Sequence, residues 1–354
     1  MDVTYMKAVR LIQPGGLLKL ETIPKPTVQS PYDVIVKVSN CGVCGSDLHF
    51  VAGNQESSAV TVTLGHEFSG IVHETGSDVI NVKVGDRVGV NPNGGCKRCD
   101  FCLRGRENMC DTGGCRSSVG VFRDGGFAEY SRIPCDYVFC LADETPLEVG
   151  VLCEPLSCIM RGADHFGAIQ DDARILVQGC GITGLLFITL FHHRGFRNIS
   201  ACEVSATRRK VVEDLDLGIK VYTPDELLAE YPEKESAIRG FDIVADCTGA
   251  PRAIEAGYKI LRRAGKMCIF GVCPPDATIN IKPVDFMTKE LSLLGCNINN
   301  YTYPKAVACA HNMGDKYLSF EKLGVKRFKL EDFQDAFDEL KAGTIAKAVF
   351  SISQ

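Results

Sequence analysis

The chain has 354 residues, which is enough for roughly two domains of about 150 residues, each with its own core. Hydrophobic residues make up 45% of it and charged residues 23%, a composition typical of folded globular proteins and unlike that of disordered ones. The formal net charge of -5 argues against nucleic acid as a partner, and the longest uncharged apolar run, residues 175–191, is shorter than the roughly 20 residues of a membrane-spanning helix.

The N-terminus, beginning Met1-Asp2-Val3, has neither the basic and apolar regions nor the cleavage site of a secretory signal, so we expect a cytoplasmic protein. The 18 cysteines are scattered along a long chain, which favours metal ligands and free thiols over a disulfide framework. Cysteines in apolar surroundings, such as Cys180, Cys202 and Cys268, are expected to be small core residues.

The first 150 residues or so predict a mostly antiparallel β region. Short apolar and alternating runs, such as residues 34–38 and 70–72, are separated by glycine-rich turns. Three residues of this region, Cys44, His66 and Glu67, are types that bind metal ions. A thiolate, an imidazole and a carboxylate form a mixed ligand set that leaves a fourth position open, as a catalytic zinc requires.

Four closely spaced cysteines predict a second, closed metal site, and they are Cys96, Cys99, Cys102 and Cys110. Four soft sulfur ligands suit a tetrahedral zinc ion that ties down a loop with little core of its own. Because no coordination position stays open, this metal is expected to be structural. Two local disulfides or an iron–sulfur cluster are the alternative interpretations, and the neighbouring Cys115 is expected to play no part.

Glu154 is a further carboxylate that could belong to the open site. It precedes Pro155, and proline suits the first turn of a helix, so Glu154 is predicted at a helix start. A single residue such as His66 or Glu154 is more often structural. The combination with Cys44 and with the cofactor motif described next favours the functional interpretation.

From residue 173 onward, apolar strands alternate with amphipathic stretches, which predicts a parallel sheet with crossover helices. A glycine-rich turn follows the predicted strand 175–178 and precedes the apolar, helical run 185–191. This is the context of a dinucleotide-binding fingerprint, in which backbone amides at a helix N-terminus receive a pyrophosphate. The residues predicted to bind the cofactor here are Gly179, Gly181, Ile182, Thr183 and Gly184.

The choice between NAD and NADP depends on the residues after the next predicted strand, 199–204. Glu203 can accept hydrogen bonds from both adenosine ribose hydroxyls and would repel a 2'-phosphate, which favours NAD. Arg208 and Arg209 lie close behind, however, and an arginine there can accommodate that phosphate, so NADP stays possible. The tail predicts a helix over residues 330–342 that ends before Gly343, then a strand over 348–351.

The chain resembles the zinc-containing medium-chain alcohol dehydrogenases, in the branch of sorbitol, arabinitol and threonine dehydrogenases. The resemblance covers nearly the whole chain and rests on motifs at residues 42–47, 65–67, 84–88, 96–110, 125–130, 154–157 and 179–184.

The resemblance implies an α/β protein of two domains. A GroES-like, mostly β catalytic domain would comprise residues 1–157 and 296–354, with a structural zinc lobe at about 94–112. A Rossmann domain, a doubly wound parallel sheet that binds NAD(P), would comprise residues 158–295. The active site would lie in the cleft between the domains, and the protein would form a homodimer or homotetramer.

Residue by residue, the resemblance implies that Cys44 and His66 bind the catalytic zinc. Glu67 or Glu154 would complete the protein ligands, and the other carboxylate would lie close behind. Each chain would then hold one catalytic and one structural zinc ion. Zinc would act as a Lewis acid on the substrate alcohol, which would give up hydride to the nicotinamide ring.

The resemblance also implies a route for the proton. The Ser46 hydroxyl would receive the substrate proton and pass it through the nicotinamide ribose towards His49. His49 follows a turn, where an exposed histidine often has no function, so its role in this relay has an equally good structural alternative.

The sequence departs from animal sorbitol dehydrogenases at Ile298 and Asn299, where the resemblance would place an Arg-Tyr pair that contacts polyol hydroxyls. Sorbitol itself is therefore in doubt as a substrate. Asn297, Asn299 and Asn300 are candidates for binding another hydroxyl-rich substrate. The four-cysteine lobe, which animal sorbitol dehydrogenases typically lack, favours arabinitol-type and threonine-type relatives.

Three functions are compatible with the sequence. The first is oxidation of a secondary alcohol of a polyol, such as arabinitol, xylitol or sorbitol, by a zinc-dependent enzyme with NAD. The second is a threonine or sugar-acid dehydrogenase of the same family, which needs a cation for the substrate carboxylate. The third, from another class, is a binding or structural relative without turnover, against which the intact set of metal-binding residues argues.

Overall fold

The computed structural model describes residues 3–12, 16–53 and 61–353. Met1 and Asp2, which were considered above for a secretory signal, lie outside these residues. Contacts divide the chain into two compact units, Met1–Cys158 with Ile298–Gln354, and Ile159–Asn297. Across the described ranges, no helix combines the length and the apolar character needed to cross a bilayer.

The first unit consists mainly of antiparallel strands. Numbered along the whole chain, its strands are β1 (Tyr5–Leu11), β2 (Leu18–Pro24), β3 (Asp33–Val43), β4 (Val62–Thr63), β5 (Glu67–Thr75), β6 (Arg87–Val90), β7 (Tyr130–Pro134), β8 (Val138–Cys140), β15 (Val325–Lys329) and β16 (Lys347–Ser351). The smaller sheet has the order β2-β1-β4. The larger has the order β15-β16-β3-β5-β6-β8, and β7 pairs with β3. Only the β15–β16 pair of this sheet is parallel among the described strands.

The α-helices that begin in the described residues of the first unit are α1 (Gly45–Val51), α2 (Asp100–Leu103), α3 (Leu147–Gly150), α4 (Cys153–His165), α11 (Tyr303–Leu318) and α12 (Phe333–Ala342). The predicted tail helix begins with a 3-10 turn at Leu330–Asp332, and α12 follows it. Its predicted end is confirmed, because Gly343 adopts φ 70°, a left-handed conformation that terminates helices.

The second unit is a parallel sheet with helical crossovers. Its strands are β9 (Ile175–Gln178), β10 (Ile199–Cys202), β11 (Lys220–Tyr222), β12 (Phe241–Asp246), β13 (Leu261–Ile269) and β14 (Ser292–Gly295). Its helices are α5 (Ile182–His193), α6 (Ala206–Asp214), α7 (Pro224–Glu230), α8 (Ser236–Arg239), α9 (Pro251–Lys259) and α10 (Pro283–Lys289). The order β11-β10-β9-β12-β13-β14, with every pairing parallel, is that of a Rossmann fold.

Burial explains why these segments read as continuous apolar runs. All four residues of β9 are buried, as expected for a central parallel strand that is covered on both faces. From Gly184 to His192 every residue of α5 is buried as well. The strand order changes direction between β9 and β12, and ligands of open α/β sheets bind outside the carboxyl ends of the strands at such a switch point.

Candidate active site

Neighbouring strands of the first unit bring the three residues of the predicted open site together. Cys44 follows β3 directly and His66 precedes β5 directly, while β3 and β5 pair so that Gly42 lies opposite Glu67. The ligand atoms of Cys44, His66 and Glu67 all lie within 4.8 Å of one another. We call these three residues the Cys44 group.

Gly65 allows His66 to occupy this place. Its φ of 93° is left-handed, a conformation that side chains disfavour. A β-carbon at Gly65 would also collide with the Phe127 ring and the Cys41 sulfur. Phe127 is itself fixed by an edge-to-face contact with Phe350, with ring centroids 4.9 Å apart. The glycine before His66 is therefore needed for both its conformation and its lack of a side chain.

Asp47 is a site residue that the sequence analysis missed. Its Oδ2 accepts a hydrogen bond from the Cys44 N–H at 2.8 Å, and its Oδ1 lies 3.5 Å from Nδ1 of His66. Asp47 is fully buried in the first turn of α1. A carboxylate beside Nδ1 leaves Nε2 as the nitrogen available to a metal ion. The available signal was its position three residues after Cys44, which is that of a capping carboxylate.

The electrostatics of the Cys44 group favour a cation. Burial alone lowers the pKa of His66, but the Asp47 carboxylate and the Cys44 thiol raise it well above its ordinary value. The surroundings thus stabilise positive charge at a buried position. A cysteine, a histidine and a glutamate that converge in such a potential fit a zinc ion, because these are the donors that zinc takes in proteins.

Lys347 is the second site residue that the sequence analysis missed. Its ammonium group forms an ion pair with Oε2 of Glu67 and donates a hydrogen bond to the Val43 carbonyl at 3.3 Å. Lys347 and Glu67 are 1% and 2% exposed, so the pair is shielded from water. Lys347 is the first residue of β16, and a lysine beside the predicted apolar strand 348–351 was the available signal.

The remaining predicted catalytic residues lie at different places around the group. Ser46 Oγ is 3.5 Å from His66 Nε2, and His49 is half-buried in the last turn of α1. Glu154, the second residue of α4, does not belong to the metal-binding sets found among the described residues. It is buried, and burial raises its pKa to about 7, an effect that His66 opposes and Glu67 reinforces. The structure therefore favours Glu67 over Glu154 as the carboxylate next to Cys44 and His66.

The four sulfurs of the predicted lobe also converge. The Sγ atoms of Cys96, Cys99, Cys102 and Cys110 lie within 4.8 Å of one another. Backbone N–H groups of Cys96 and Gly113 donate to Cys110 Sγ at 3.3 and 3.2 Å, which stabilises a thiolate there. All 18 cysteines of the chain are described and none forms a disulfide, so the disulfide alternative is wrong. Cys115 is exposed and lies outside the cluster.

In the second unit, the glycine turn connects β9 to the N-terminus of α5. Gly179 has φ 85°, and Gly181 caps α5 with open space where a β-carbon would point. Glu203 folds back onto this turn, since its carboxylate accepts hydrogen bonds from the N–H groups of Cys180 at 2.7 Å and Ser205 at 2.9 Å. Each carboxylate oxygen has a further lone pair, so Glu203 can still accept a ribose hydroxyl.

The two arginines after Glu203 have different surroundings. Arg209 donates to the backbone carbonyls of Glu203 and Val204 at 2.9 and 2.7 Å. Arg208 lies in the first turn of α6, and its buried Nε has no hydrogen-bond partner within the described part of the chain. The Arg209 guanidinium is thus committed to the backbone, whereas the Nε of Arg208 is not.

The asparagines considered as polyol contacts are mostly engaged elsewhere. Asn299 is 3% exposed and donates to Asn91 Oδ1 at 2.9 Å and to Ser157 Oγ at 2.8 Å. Asn300 donates to the Gly105 carbonyl at 2.8 Å. The expectation that Asn299 binds substrate hydroxyls is wrong, because it is buried and both of its amide hydrogens bind protein atoms. For Asn300, which keeps one amide hydrogen, it stays a prediction.

Comparison with known proteins identifies the family. The model of the alcohol dehydrogenase GroES-like domain matches residues 30–143, and that of the zinc-binding dehydrogenase domain matches residues 183–312. The chain belongs to the zinc-binding alcohol dehydrogenase family. A D-altritol 5-dehydrogenase from Agrobacterium fabrum is 31% identical over 88% of this chain and 89% of its own length.

Two further relatives of this zinc-binding dehydrogenase cover almost its whole length. An L-threonine 3-dehydrogenase from Streptomyces coelicolor is 28% identical over 95% of this chain and 96% of its own. The crystal structure of a zinc-binding dehydrogenase from Sinorhizobium meliloti, solved with NADP bound, superposes with a TM-score of 0.88 at 30% identity, covering 98% and 99% of the two chains. The predicted fold class, the enzyme class and the use of zinc and NAD or NADP are confirmed.

Proposed function

We propose that this dehydrogenase oxidises a secondary alcohol group of a polyol with NAD. The observation that carries the proposal is the convergence of Cys44, His66 and Glu67, whose ligand atoms lie within 4.8 Å of one another. Three protein ligands leave the fourth position of a tetrahedral zinc ion for a substrate oxygen. The D-altritol dehydrogenase among its relatives supports the substrate class, since altritol is a sugar alcohol.

In this proposal Cys44, His66 and Glu67 bind the catalytic zinc. Glu154 is the second carboxylate, which lies close behind these ligands without binding the metal. When bound there, zinc would supply Lewis-acid activation of the substrate hydroxyl and NAD would supply the hydride acceptor. Asp47 keeps the His66 ring oriented through Nδ1. The Ser46 hydroxyl, which lies 3.5 Å from His66 Nε2, would receive the substrate proton, and His49 stays a predicted later acceptor.

The four cysteines of the lobe hold the second, structural zinc ion in this proposal. The glycine turn and the N-terminus of α5 would bind the cofactor pyrophosphate, and the Glu203 carboxylate would accept hydrogen bonds from the adenosine ribose hydroxyls. Glu203 favours NAD because its buried charge repels a 2'-phosphate. Arg208, whose Nε is unpartnered among the described residues, provides for NADP as the less preferred cofactor.

A threonine dehydrogenase is the second candidate, supported by the L-threonine 3-dehydrogenases among the relatives. Such an enzyme must place a cation near the substrate carboxylate. Lys347 is a cation beside the Cys44 group, but it is buried and committed to Glu67. This commitment favours an uncharged polyol over an amino acid.

Metal analysis followed by a substrate panel tests the proposal. We expect two zinc ions per chain and reduction of NAD with pentitols or hexitols in preference to threonine and aldonates. The Cys44→Ser variant should lose turnover and one zinc ion but keep NAD binding, while Cys115→Ser, at an exposed cysteine outside both metal groups, should behave like the wild type. Full turnover in Cys44→Ser would refute the catalytic zinc site, and a preference for threonine would select the second candidate.

A further inference from the structure

The segment 298–302 lies in the first unit, and its side chains form hydrogen bonds with two other parts of that unit. Asn299, buried at its centre, donates one amide hydrogen to Ser157 Oγ at 2.8 Å and the other to Asn91 Oδ1 at 2.9 Å. Both donors of the amide are therefore used. A buried amide that lost either partner would have no water to replace it.

On one side, this chain of hydrogen bonds ends at Glu154. The Ser157 hydroxyl, which accepts from Asn299, donates in turn to the backbone carbonyl of Glu154 at 2.6 Å. Thr302 holds the same turn from a second direction, because its hydroxyl donates to the Ser157 carbonyl at 2.7 Å. Ser157 and Thr302 are both buried. The first turn of α4, which carries the Glu154 carboxylate, is thus fixed by side chains of the segment 298–302.

On the other side, the same segment holds the four-cysteine lobe. Asn300 donates to the carbonyl of Gly105, which lies between the third and fourth cysteines of the lobe, and accepts from the Asn108 N–H at 3.5 Å. Two adjacent residues, Asn299 and Asn300, therefore form hydrogen bonds with the Glu154 turn and with the lobe, respectively.

The backbone of the segment shows that its conformation is imposed by these contacts. Ile298 and Tyr301 have φ values of 46° and 57°, in the left-handed region that L side chains rarely adopt. For a β-branched residue such as Ile298 this is an outlier, which persists only where the surroundings determine it. If the lobe released the segment, we expect these two residues to relax and Asn299 to leave its partners.

We propose that Asn299 is a positioning residue that couples the metal-bound state of the four-cysteine lobe to the Glu154 turn, and through it to metal retention at the Cys44 group. The inference rests on the proposed function for its second half. Its physical basis is the unbroken path from Gly105 through Asn300 and Asn299 to Ser157 and the Glu154 carbonyl. Val151, two residues before α4, lies against the Glu67 carboxylate, since a β-carbon built on Gly42 would touch both side chains.

The test uses the full-length, zinc-loaded protein and four variants. Asn299→Leu breaks the path at its centre, and Thr302→Val removes one hydroxyl while keeping the shape of the side chain. Cys110→Ser removes the lobe metal. Val9→Ala, a core truncation in β1 away from the path, controls for a general loss of stability.

Hydrogen exchange over residues 153–158 reports the coupling directly. We expect faster exchange of this turn in Asn299→Leu, in Thr302→Val and in Cys110→Ser, and no change in Val9→Ala. The double variant Asn299→Leu with Cys110→Ser should be no faster than Asn299→Leu alone, since one path is broken twice. Wild-type exchange in Asn299→Leu and Thr302→Val, or strictly additive effects in the double variant, would overturn the proposal.

Zinc transfer to a chromophoric chelator tests the second half of the proposal, the coupling of the Glu154 turn to metal retention at the Cys44 group. We expect the zinc ion of the Cys44 group to dissociate about tenfold faster in Asn299→Leu, and kcat to fall while the KM for NAD stays unchanged. If the wild type holds zinc at the Cys44 group and turns over but these rates do not change, the coupling fails and the proposed function stands. If the wild type binds no zinc there, the proposed function fails, and the exchange data decide the coupling alone.

Discussion

The ammonium group of Lys347 and the carboxylate of Glu67 form an ion pair that is almost fully buried. Replacing Lys347 with Met would leave the Glu67 carboxylate in the interior without its partner. Breaking a buried pair on one side costs about 3–5 kcal/mol, so we expect a marked loss of unfolding free energy. Chemical denaturation measures it, and the loss should be largest in the zinc-free protein, where Glu67 has no metal to compensate its charge.

Two further variants serve as controls for the Lys347→Met prediction. Lys326→Met breaks an exposed pair with Glu339 and should change stability little. The double variant Lys347→Met with Glu67→Gln should recover much of the loss, because no uncompensated charge stays buried. Equal stability of Lys347→Met and Lys326→Met would show that Glu67 does not depend on its buried partner.

Asp47 fixes both the start of α1 and the His66 ring, so Asp47→Ala should weaken metal binding at the Cys44 group. We expect zinc affinity there to fall about 10- to 100-fold, with the lobe zinc unaffected. Competition with chelators of graded strength measures both sites. Asp33→Ala, which removes a carboxylate that caps a turn in the same unit, is the control. Loss of both zinc ions at once would point to general unfolding.

Glu203 should set the preference for NAD. In Glu203→Ala we expect the ratio of NADP to NAD affinity to rise by about tenfold or more, as expected when a charged hydrogen-bond acceptor is lost. The variant also frees the N–H groups of Cys180 and Ser205, so both affinities should drop and only their ratio is diagnostic. Titration with each reduced cofactor by fluorescence gives the ratio. Glu226→Ala, at the start of α7, should leave it unchanged; the same result for Glu203→Ala would remove the assignment.

Removal of the lobe metal should destabilise the first unit before the second. The lobe consists of short turns around Cys96 to Cys110, and structural zinc supplies folding free energy to such segments. In Cys102→Ser we expect zinc content to fall from two ions to one per chain and Tm to drop. Calorimetry and metal analysis test this, with the exposed Cys140→Ser as control. An unchanged Tm would mean that the lobe folds without metal.

Local patterns explain what the sequence could predict. The glycine turn at Gly179, its strand and its helix are contiguous, and the four cysteines of the lobe lie within one loop, so spacing alone indicated both sites. The choice between Glu67 and Glu154 depends on the register of β3 against β5, which no local pattern encodes. Lys347 reaches Glu67 from the far end of the chain, so sequence distance concealed it.

Asn299 shows the opposite difficulty. A run of exposed-looking polar residues suggested contact with substrate hydroxyls, because amide groups bind them well. In the structure Asn299 is buried, and its amide group donates hydrogen bonds to Asn91 and Ser157 instead. Polar composition alone cannot distinguish an amide that binds a ligand from one that forms hydrogen bonds within the protein, since both use the same donors and acceptors.

The last strand, β16, has a consequence for biosynthesis. It lies between β15 and β3 in the sheet, and it brings Lys347 to Glu67. Every residue of Ile159–Asn297 leaves the ribosome before β16 is translated. The nascent chain therefore carries Cys44 on an incomplete sheet while the parallel sheet can already fold, so the portion made first is finished last, and chaperones have their longest opportunity to bind there.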